Sequence, residues 1–437
     1  MILNEAEART IISKILSFGT ADEMRVNLAG WRSGNTRFAL NTVTTSGDQE
    51  DLSISITAFF GKKKGAASTN EVDDAALKRA VRMAEDIARV APEDPEYVPE
   101  LASQKYLDVD PYFESTAAAT PDLRARAAEA AVDPAMKKGL VAAGFFDHSN
   151  GFSAVGNNKG LWGYYRNSNA SYSVTVRSTD GAASGWDSVD SRKIEDVEYR
   201  GSSGRAIRKA EESRDAKRLD PGVYPVILEP QAVAELMSFA FFTLDARSAD
   251  EGRSFFSKPG GKNKIGEKIA GSNITVRSDP THPDLLGEPF GWDGLPAKKI
   301  TWIEKGVLKQ LFYSRYWAQK QGKEPTGFPG SVVFDGGKGS LEDLIKDTDK
   351  AVLITRFWYT NFVDPETMLV TGLTRDGTFW VEKGRIKHAV RNFRFNESPV
   401  AVLNKVTGMS RSVRVGDSLV PAVRASAFTF SSISDAV

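Results

Sequence analysis

The chain has no cysteine and only three histidines in 437 residues. Without cysteine there is no disulfide, no iron–sulfur cluster, no thiolate zinc site and no cysteine nucleophile. His148, His282 and His388 lie far apart in sequence, so no H-E-x-x-H or H-E-x-x-x-H helix exists. No acidic run has the ligand spacing of a calcium or magnesium loop. An excess of one charge is also lacking, because 57 Lys and Arg balance 57 Asp and Glu. A general electrostatic grip on nucleic acid needs a basic bias, so none is expected. No segment reaches the ~20 apolar residues of a membrane span. The N-terminal stretch MILNEAEARTIISKIL carries early acids in place of an apolar signal core. A soluble, cytoplasmic protein is expected.

Phosphate and nucleophile motifs are absent or broken. Gly261-Lys262-Asn263-Lys264-Ile265-Gly266-Glu267-Lys268 resembles a P-loop loosely, but Glu267 stands where the phosphate-binding Lys belongs. Gly336-Gly337-Lys338-Gly339-Ser340 precedes a helix-like segment and reads as a flexible turn. No G-x-S-x-G elbow is present. No catalytic residue and no metal ligand is therefore assigned on this chain.

What is there is a globular composition, 41% hydrophobic and 26% charged, long enough for two or three domains. Residues 5–18 have apolar positions at helical spacing, and strands are expected at 23–30, 36–46 and 51–61. In the last of these, Leu52, Ile54, Ile56 and Ala58 alternate with Ser53, Ser55 and Thr57, a pattern with one buried face. A second helix over 72–90, with Asp73 or Asp74 as N-cap, closes an α–β–β–β–α lobe at residues 1–92. Pro92, Pro95, Pro99 and Pro111 mark 93–119 as a linker. A middle α/β region follows at 120–220, with a helix over 120–143, strands at 151–155, 160–165 and 170–177, a loop over 180–186 and a helix over 202–218. Asp220-Pro221-Gly222 opens a β-rich domain at 221–437.

That last domain is expected to hold one central helix, 230–245, started by Pro230 and apolar nearly all round. A Gly- and Lys-rich surface loop, 247–271, comes next and is expected to order on binding. A short helix is expected over 399–409. The informative stretch lies between, from Val352 to Val390. Strands are expected at 352–358, 368–374, 378–382 and 385–390, with a tight turn at Arg375-Asp376-Gly377, where Asp-Gly tolerates positive φ. A polar loop at 359–365, carrying Tyr359, Asn361 and Asp364, sits between rigid strands, where function concentrates.

The segment TRFWYTNFVDPETMLVTGLTRDGTFWVEKGRI resembles the C-terminal signature of the TldD/PmbA family, zinc-peptidase-related proteins once called modulators of DNA gyrase. Asn158-Lys159-Gly160-Leu161-Trp162 is similar to the family's N-x-x-G-L strand, and Gly222-Val223-Tyr224-Pro225-Val226-Ile227-Leu228 is similar to the strand before its active-site helix. The resemblance implies an α+β fold, with an N-terminal α/β lobe and a C-terminal β-rich lobe around one buried helix. In the TldD branch that helix carries H-E-x-x-x-H, and a later cysteine completes a zinc site. Here Ser238 and Phe239 stand at the first two positions and Thr243 at the last. Shifting the register recovers no ligand, since the helix has no histidine.

The resemblance therefore points to the PmbA (TldE) branch. It implies a noncatalytic subunit without a cofactor of its own, paired with a zinc-bearing TldD-type partner. Such a subunit would guide unfolded or ribosomally made peptides to proteolysis. Candidate cleft residues are Arg315, Arg356, Tyr359, Asn361 and Arg375, each of which also admits a purely structural reading. The alternatives are a stand-alone homodimeric peptide-binding scaffold and a metal-independent hydrolase using Ser or Asp. No membrane or general nucleic-acid partner is expected.

Overall fold

The computed structural model describes residues 2–434. The chain opens with α1 (Glu5–Phe18), β1 (Glu23–Ala39), β2 (Thr42–Phe60), β3 (Lys63–Thr69) and α2 (Asp74–Val90). After an extended stretch come α3 (Glu114–Ala117), α4 (Pro121–Lys137), β4 (Leu140–Asn157), β5 (Trp162–Ser178), β6 (Ser184–Ser191) and α5 (Tyr199–Glu212). All six strands form one sheet in the order β3-β2-β1-β4-β5-β6. Segments 1–92 and 120–220 thus share a sheet, joined along the antiparallel β1–β4 pair. Helices α1 and α2 bury Ile12, Ile15, Leu77 and Val81 against Leu52, Ile54 and Ile56. The alanine-rich α4 and α5 bury Ala127, Ala131, Ala206 and Ala210 against Tyr172, Val174 and Val176.

Helix starts follow local chemistry. Asn4 and Glu7 form a reciprocal capping box on α1. Asp73, and not Asp74, caps α2 by accepting from the Ala76 N–H at 2.9 Å. Strand lengths depart from expectation. The strands expected at 23–30 and 36–46 are parts of a single β1 and of β2, and the turn falls at Leu40-Asn41, with φ of 51° and 60°. Trp31 to Asn35 looks unlike a strand, but it is paired on both sides, Arg32 with Glu50 and with Asn150, and two ladders of backbone bonds override weak propensity. Likewise β4 and β5 run unbroken over the short strands expected at 151–155, 160–165 and 170–177, and residues 184–186 of the expected loop belong to β6. The helix expected over 120–143 ends at Lys137, because Gly139 takes φ of 65° and turns the chain into β4. The helix expected over 202–218 is α5, one turn earlier.

The C-terminal part contains β7 (Gly222–Leu228), α6 (Pro230–Phe242), α7 (Ala246–Asp250), β8 (Ser257–Lys258), β9 (Lys262–Asn263), β10 (Val276–Ser278), β11 (Ile300–Glu304) and β12 (Val307–Leu308). It continues with α8 (Arg315–Gln321), β13 (Val332–Phe334), α9 (Leu341–Lys346), β14 (Lys350–Asp364), β15 (Leu369–Glu382), β16 (Arg385–Ala389) and β17 (Phe393–Glu397). It ends with α10 (Pro399–Leu403), β18 (Val406–Val415) and β19 (Ser418–Ile433). Apart from the β8–β9 hairpin these strands form one 11-stranded sheet. Because β7 pairs with both β14 and β19, the strands β19, β17, β15, β14 and β7 close on themselves. The whole is α+β, and among the described residues no helix is long and apolar enough to cross a membrane.

Three expectations change here. The central helix ends at Phe242, not at 245, and it is not buried all round: Leu236 and Met237 face the core while Ser238 and Phe242 face outward. The expected surface loop at 247–271 contains α7 and the β8–β9 hairpin and buries Phe256, Ile269 and Ala270. The helix expected over 399–409 stops at Leu403, and β18 takes the remainder.

The linker has no helix or strand before the short α3 and is pinned. The Arg25 Nη1 atom lies 2.7 Å from Glu100 Oε1, with both side chains almost fully buried. Removing one partner of such a pair strands a charge in low dielectric, at a cost of about 3–5 kcal/mol. Glu100→Ala should therefore lower the denaturant midpoint by that equivalent at unchanged slope. A loss below about 1 kcal/mol would show the pair to behave as a solvated surface contact.

Candidate functional site

Helix α6 begins at a strand-to-helix corner. Glu229 caps it in an extended conformation, and its N–H donates to the Ile354 carbonyl of β14 at 3.0 Å. The Glu229 carboxylate is buried and accepts from Lys209 Nζ of α5 at 2.7 Å and from Thr355 Oγ1 at 3.2 Å. The helix is thus tied to the six-stranded sheet's own helix by a buried ion pair.

The three positions expected from the resemblance to align with the TldD-branch motif hold no ligand geometry. Ser238 is exposed, and its hydroxyl donates to the Glu235 carbonyl at 2.7 Å. Phe239 packs edge-on against Phe362, with ring centroids 4.8 Å apart. Thr243 lies just past the helix end and donates to the carbonyls of Phe239 and Ala240. Among the described residues there is no group of three or more His, Cys, Asp or Glu placed to hold a metal ion. Zinc wants imidazole, thiolate or carboxylate, and the residues present do not fit it.

A different polar centre sits beside this helix, on β14 and β15. Ile354 pairs with Thr378 and Arg356 with Arg375, so Thr355 faces both Asp376 and Gly377. That is a β-bulge. Asp376 has φ of 54° and Gly377 of 129°. A Cβ on Gly377 would come within 2.6 Å of Thr355 Oγ1, so glycine is required on both grounds. The expected hairpin at Arg375-Asp376-Gly377 is therefore a bulge inside one continuous strand. Asp-Gly supplied the positive φ for either outcome, and pairing on both sides of the bulge kept β15 a single strand.

The bulge aims Asp376 inward. Its carboxylate, almost fully buried, lies 3.4 Å from Arg356 Nε and 3.7 Å from Arg375 Nε. The Arg356 guanidinium stacks over the Trp186 ring at 4.7 Å and that of Arg375 over Trp358 at 4.0 Å, within cation–π range. Burial lowers the Arg375 pKa, the nearby Asp376 opposes this, and Arg177 and Arg356 add to it. Two of the five candidate residues are thus brought together by a third residue read from the sequence only as part of a turn.

Tyr359 and Asn361 lie farther out on the same strand. The expected polar loop at 359–365 is β14 as far as Asp364, and the chain turns only at 365–368. A second bulge sets Tyr359 and Thr360 opposite Gly372, with Tyr359 at φ of 53° and 72% exposed. Asn361 Nδ2 donates to the Tyr359 carbonyl at 3.0 Å. Beyond Ile354 no second strand pairs with β14 among the described residues, so this outer edge is open. Arg315 lies elsewhere, at the start of α8, where it donates to the Pro99 carbonyl of the linker.

Glu235 escaped the sequence reading. It accepts from the Phe357 N–H of β14 at 2.6 Å and from Gln231 Nε2 at 2.9 Å. Burial pushes its pKa up from an ordinary 4.5 to about 7; Gln231, the Phe357 N–H and Arg356 oppose the rise, and Asp376 adds to it. The available signal was two polar residues four apart, Gln231 and Glu235, on an otherwise apolar helix.

The raised pKa has a testable consequence for stability. The folded state holds the proton more tightly than the unfolded state, so the contribution is fully present below about pH 4.5 and is lost as pH rises through about 7. At ~1.4 kcal/mol per unit the span is of order 3 kcal/mol. Glu235→Gln, which stays neutral, should match the parent near pH 4.5 and exceed it above pH 7, in thermal melts across that range. Parallel curves for the two proteins would show that Glu235 is already ionised at neutral pH.

Comparison with known proteins adds a lineage to this geometry. Residues 30–88 match the profile of PmbA/TldA metallopeptidase domain 1, residues 110–214 its central domain and residues 221–432 its C-terminal domain. The chain is 25% identical over 361 residues to Metalloprotease PmbA of Escherichia coli O157:H7, covering 78% of this chain and 76% of that protein. It is equally similar, 25% over 367 residues, to the Metalloprotease PmbA homolog of Haemophilus influenzae, with the same coverage. The crystal structure of TldE from Thermococcus kodakarensis superposes with a TM-score of 0.86 at 21% identity, over 97% of this chain and 99% of that one. With three consecutive domain matches spanning most of its length, the chain belongs to the TldD/PmbA family.

Proposed function

We infer that this chain is the noncatalytic member of a TldD/TldE-type pair, which binds an unfolded or ribosomally made peptide and guides it to the zinc of a TldD-type partner. The observation that carries this reading is α6, whose Ser238 and Thr243 hydroxyls are bound to its own carbonyls and whose Phe239 packs on Phe362. The likeness to PmbA proteins and to an archaeal TldE supports it. On this reading the chain needs no cofactor of its own, and its cysteine-free composition suits the cytoplasm.

The peptide would lie along the open edge of β14. Extended chains add to such edges through main-chain hydrogen bonds, with side chains setting preference. Tyr359 and Val363, both more than half exposed, offer apolar contact there, and Asn361 offers an amide. Arg356 and Arg375 act from behind, holding the bulge that aims this part of the strand. The same open edge is the feature that favours the second reading, a homodimer that holds peptide without cutting it, since two copies of β14 could pair.

Purified alone, the chain should carry no stoichiometric zinc by elemental analysis and should leave unfolded casein uncut. Co-expressed with a TldD-type protein, it should elute as a larger species that cuts. Zinc near one per chain with cleavage by the chain alone would overturn the reading. A homodimer indifferent to the TldD-type protein would select the alternative. Tyr359→Glu combined with Val363→Glu should weaken binding of a labelled unfolded peptide about tenfold, or ~1.4 kcal/mol.

A further inference from the structure

A cavity of about 450 Å³ that no residue of β14 lines opens where the loops at 287–298 and 326–331 meet the C-terminal sheet and the start of α8. Its size is that of a small-ligand site. The walls are aromatic. Trp302 is fully buried, its indole N–H donating to Ser278 Oγ at 2.9 Å. Phe290 is wedged between Tyr106 of the linker and Tyr165 of β5, with centroids 4.7 and 5.0 Å away. Trp292 and Phe328 also line the cavity, yet they are 73% and 63% exposed. Two large apolar side chains held at an opening mark a place that an apolar group covers.

Three acids (Glu288, Asp293, Asp417) and three cations (Arg192, Lys298, Arg315) line the cavity. Its acids are engaged: Asp417 pairs with Arg192 at 3.2 Å, Asp293 accepts from the Leu295 N–H at 3.0 Å, and Glu288 hydrogen-bonds with Tyr165. Lys298 donates to the Pro325 carbonyl at 3.1 Å and Arg315 to the Pro99 carbonyl, one bond each. Neither forms an ion pair among the described residues. An ammonium has three donors and a guanidinium five, so donors remain in excess beside an apolar cleft. The complement is a carboxylate attached to an apolar body. Cations and aromatic walls share one small cavity, so carboxylate and apolar group have to sit within one residue of each other. That is the arrangement at a chain end, where the last side chain and the terminal carboxylate share a Cα.

We propose that this cavity captures the free C-terminal carboxylate of a peptide ending in a bulky apolar residue. The proposal deepens the peptide-guiding reading and rests on it: one end of the substrate or product would be held here, while the extended part lies elsewhere.

Fluorescein-labelled GSGSAF, as free acid and as C-terminal amide, would be titrated with the full chain and followed by anisotropy. Two further probes are the free acid with Ser in place of the final Phe, and an amidated peptide with an internal Phe-Asp. The free acid of GSGSAF should bind at least tenfold more tightly than the other three. Arg315→Gln and Lys298→Gln should each erase the preference for the acid while leaving the weak binding of the amide unchanged. Phe328→Ala, at an exposed position, should weaken the Phe-ended acid to the level of the Ser-ended one and serves if the charge variants fold poorly. Equal affinity for acid and amide, equal affinity for the internal Phe-Asp peptide, or a preference that survives Arg315→Gln and Lys298→Gln would each overturn the proposal. The Tyr359→Glu, Val363→Glu variant separates the two ideas: lost guidance with an intact acid preference implicates the β14 edge alone, whereas intact guidance by that variant counts against the edge and not against the cavity.

Discussion

Two arginines from neighbouring strands face each other at the middle of the C-terminal sheet, Arg356 of β14 and Arg375 of β15. Like charges directly across a ladder repel. What makes the arrangement tenable is the buried Asp376 carboxylate between them, together with an indole under each guanidinium. Asp376 can occupy that place only because the backbone bulges there and Gly377 accepts a φ closed to other residues. The outer half of β14 lies open beyond Ile354, because β7 ends at Leu228 and the chain passes into α6. Charge compensation and backbone geometry at the bulge are one linked device.

The same device joins the two halves of the molecule. Trp186, beneath Arg356, belongs to β6 of the other sheet, and Lys209 of α5 reaches the Glu229 carboxylate at the start of α6. Farther along the seam Arg192 meets Asp417, and Arg247 meets Glu96 of the linker. Buried or half-buried ion pairs return little net stability against the desolvation of their partners. They do, however, penalise any arrangement in which one partner is left alone. A seam built this way specifies a relative placement more strongly than an apolar one of equal area would. The aromatic cavity takes its walls mainly from the C-terminal loops, and Phe290 in its lining is backed by Tyr106 of the linker and Tyr165 of β5.

Helix α6 has two unlike faces. Its inner face, Ala232, Val233, Leu236, Met237 and Ala240, packs on the sheet as a core helix should. Its outer face carries Ser238 and Phe242. The one ionisable side chain on the helix, Glu235, points at β14 and accepts a strand N–H that lacks a ladder partner. A carboxylate in that role supports geometry and supplies no metal donor set.

Much was legible from sequence by itself. Composition excluded thiolate chemistry. The alternation Leu52, Ile54, Ile56, Ala58 identified a half-buried strand, Asp73 and Pro230 marked helix starts, and the stretch from Thr355 to Ile386 carried the family likeness. These are local signals, set by periodicity, capping and residue inventory. What sequence could not decide was anything fixed by a distant partner. Arg32 to Asn35 became strand because β2 and β4 lie on either side of it. Asp376-Gly377 became a bulge because β15 stays paired before and after it. Glu235 acquired its raised pKa from burial under β14, more than a hundred residues away in sequence, and Arg315 was drawn from the supposed cleft to the linker. Residue types set which conformations and charges were possible; burial and pairing across the chain, which exist only once it has folded, selected among them.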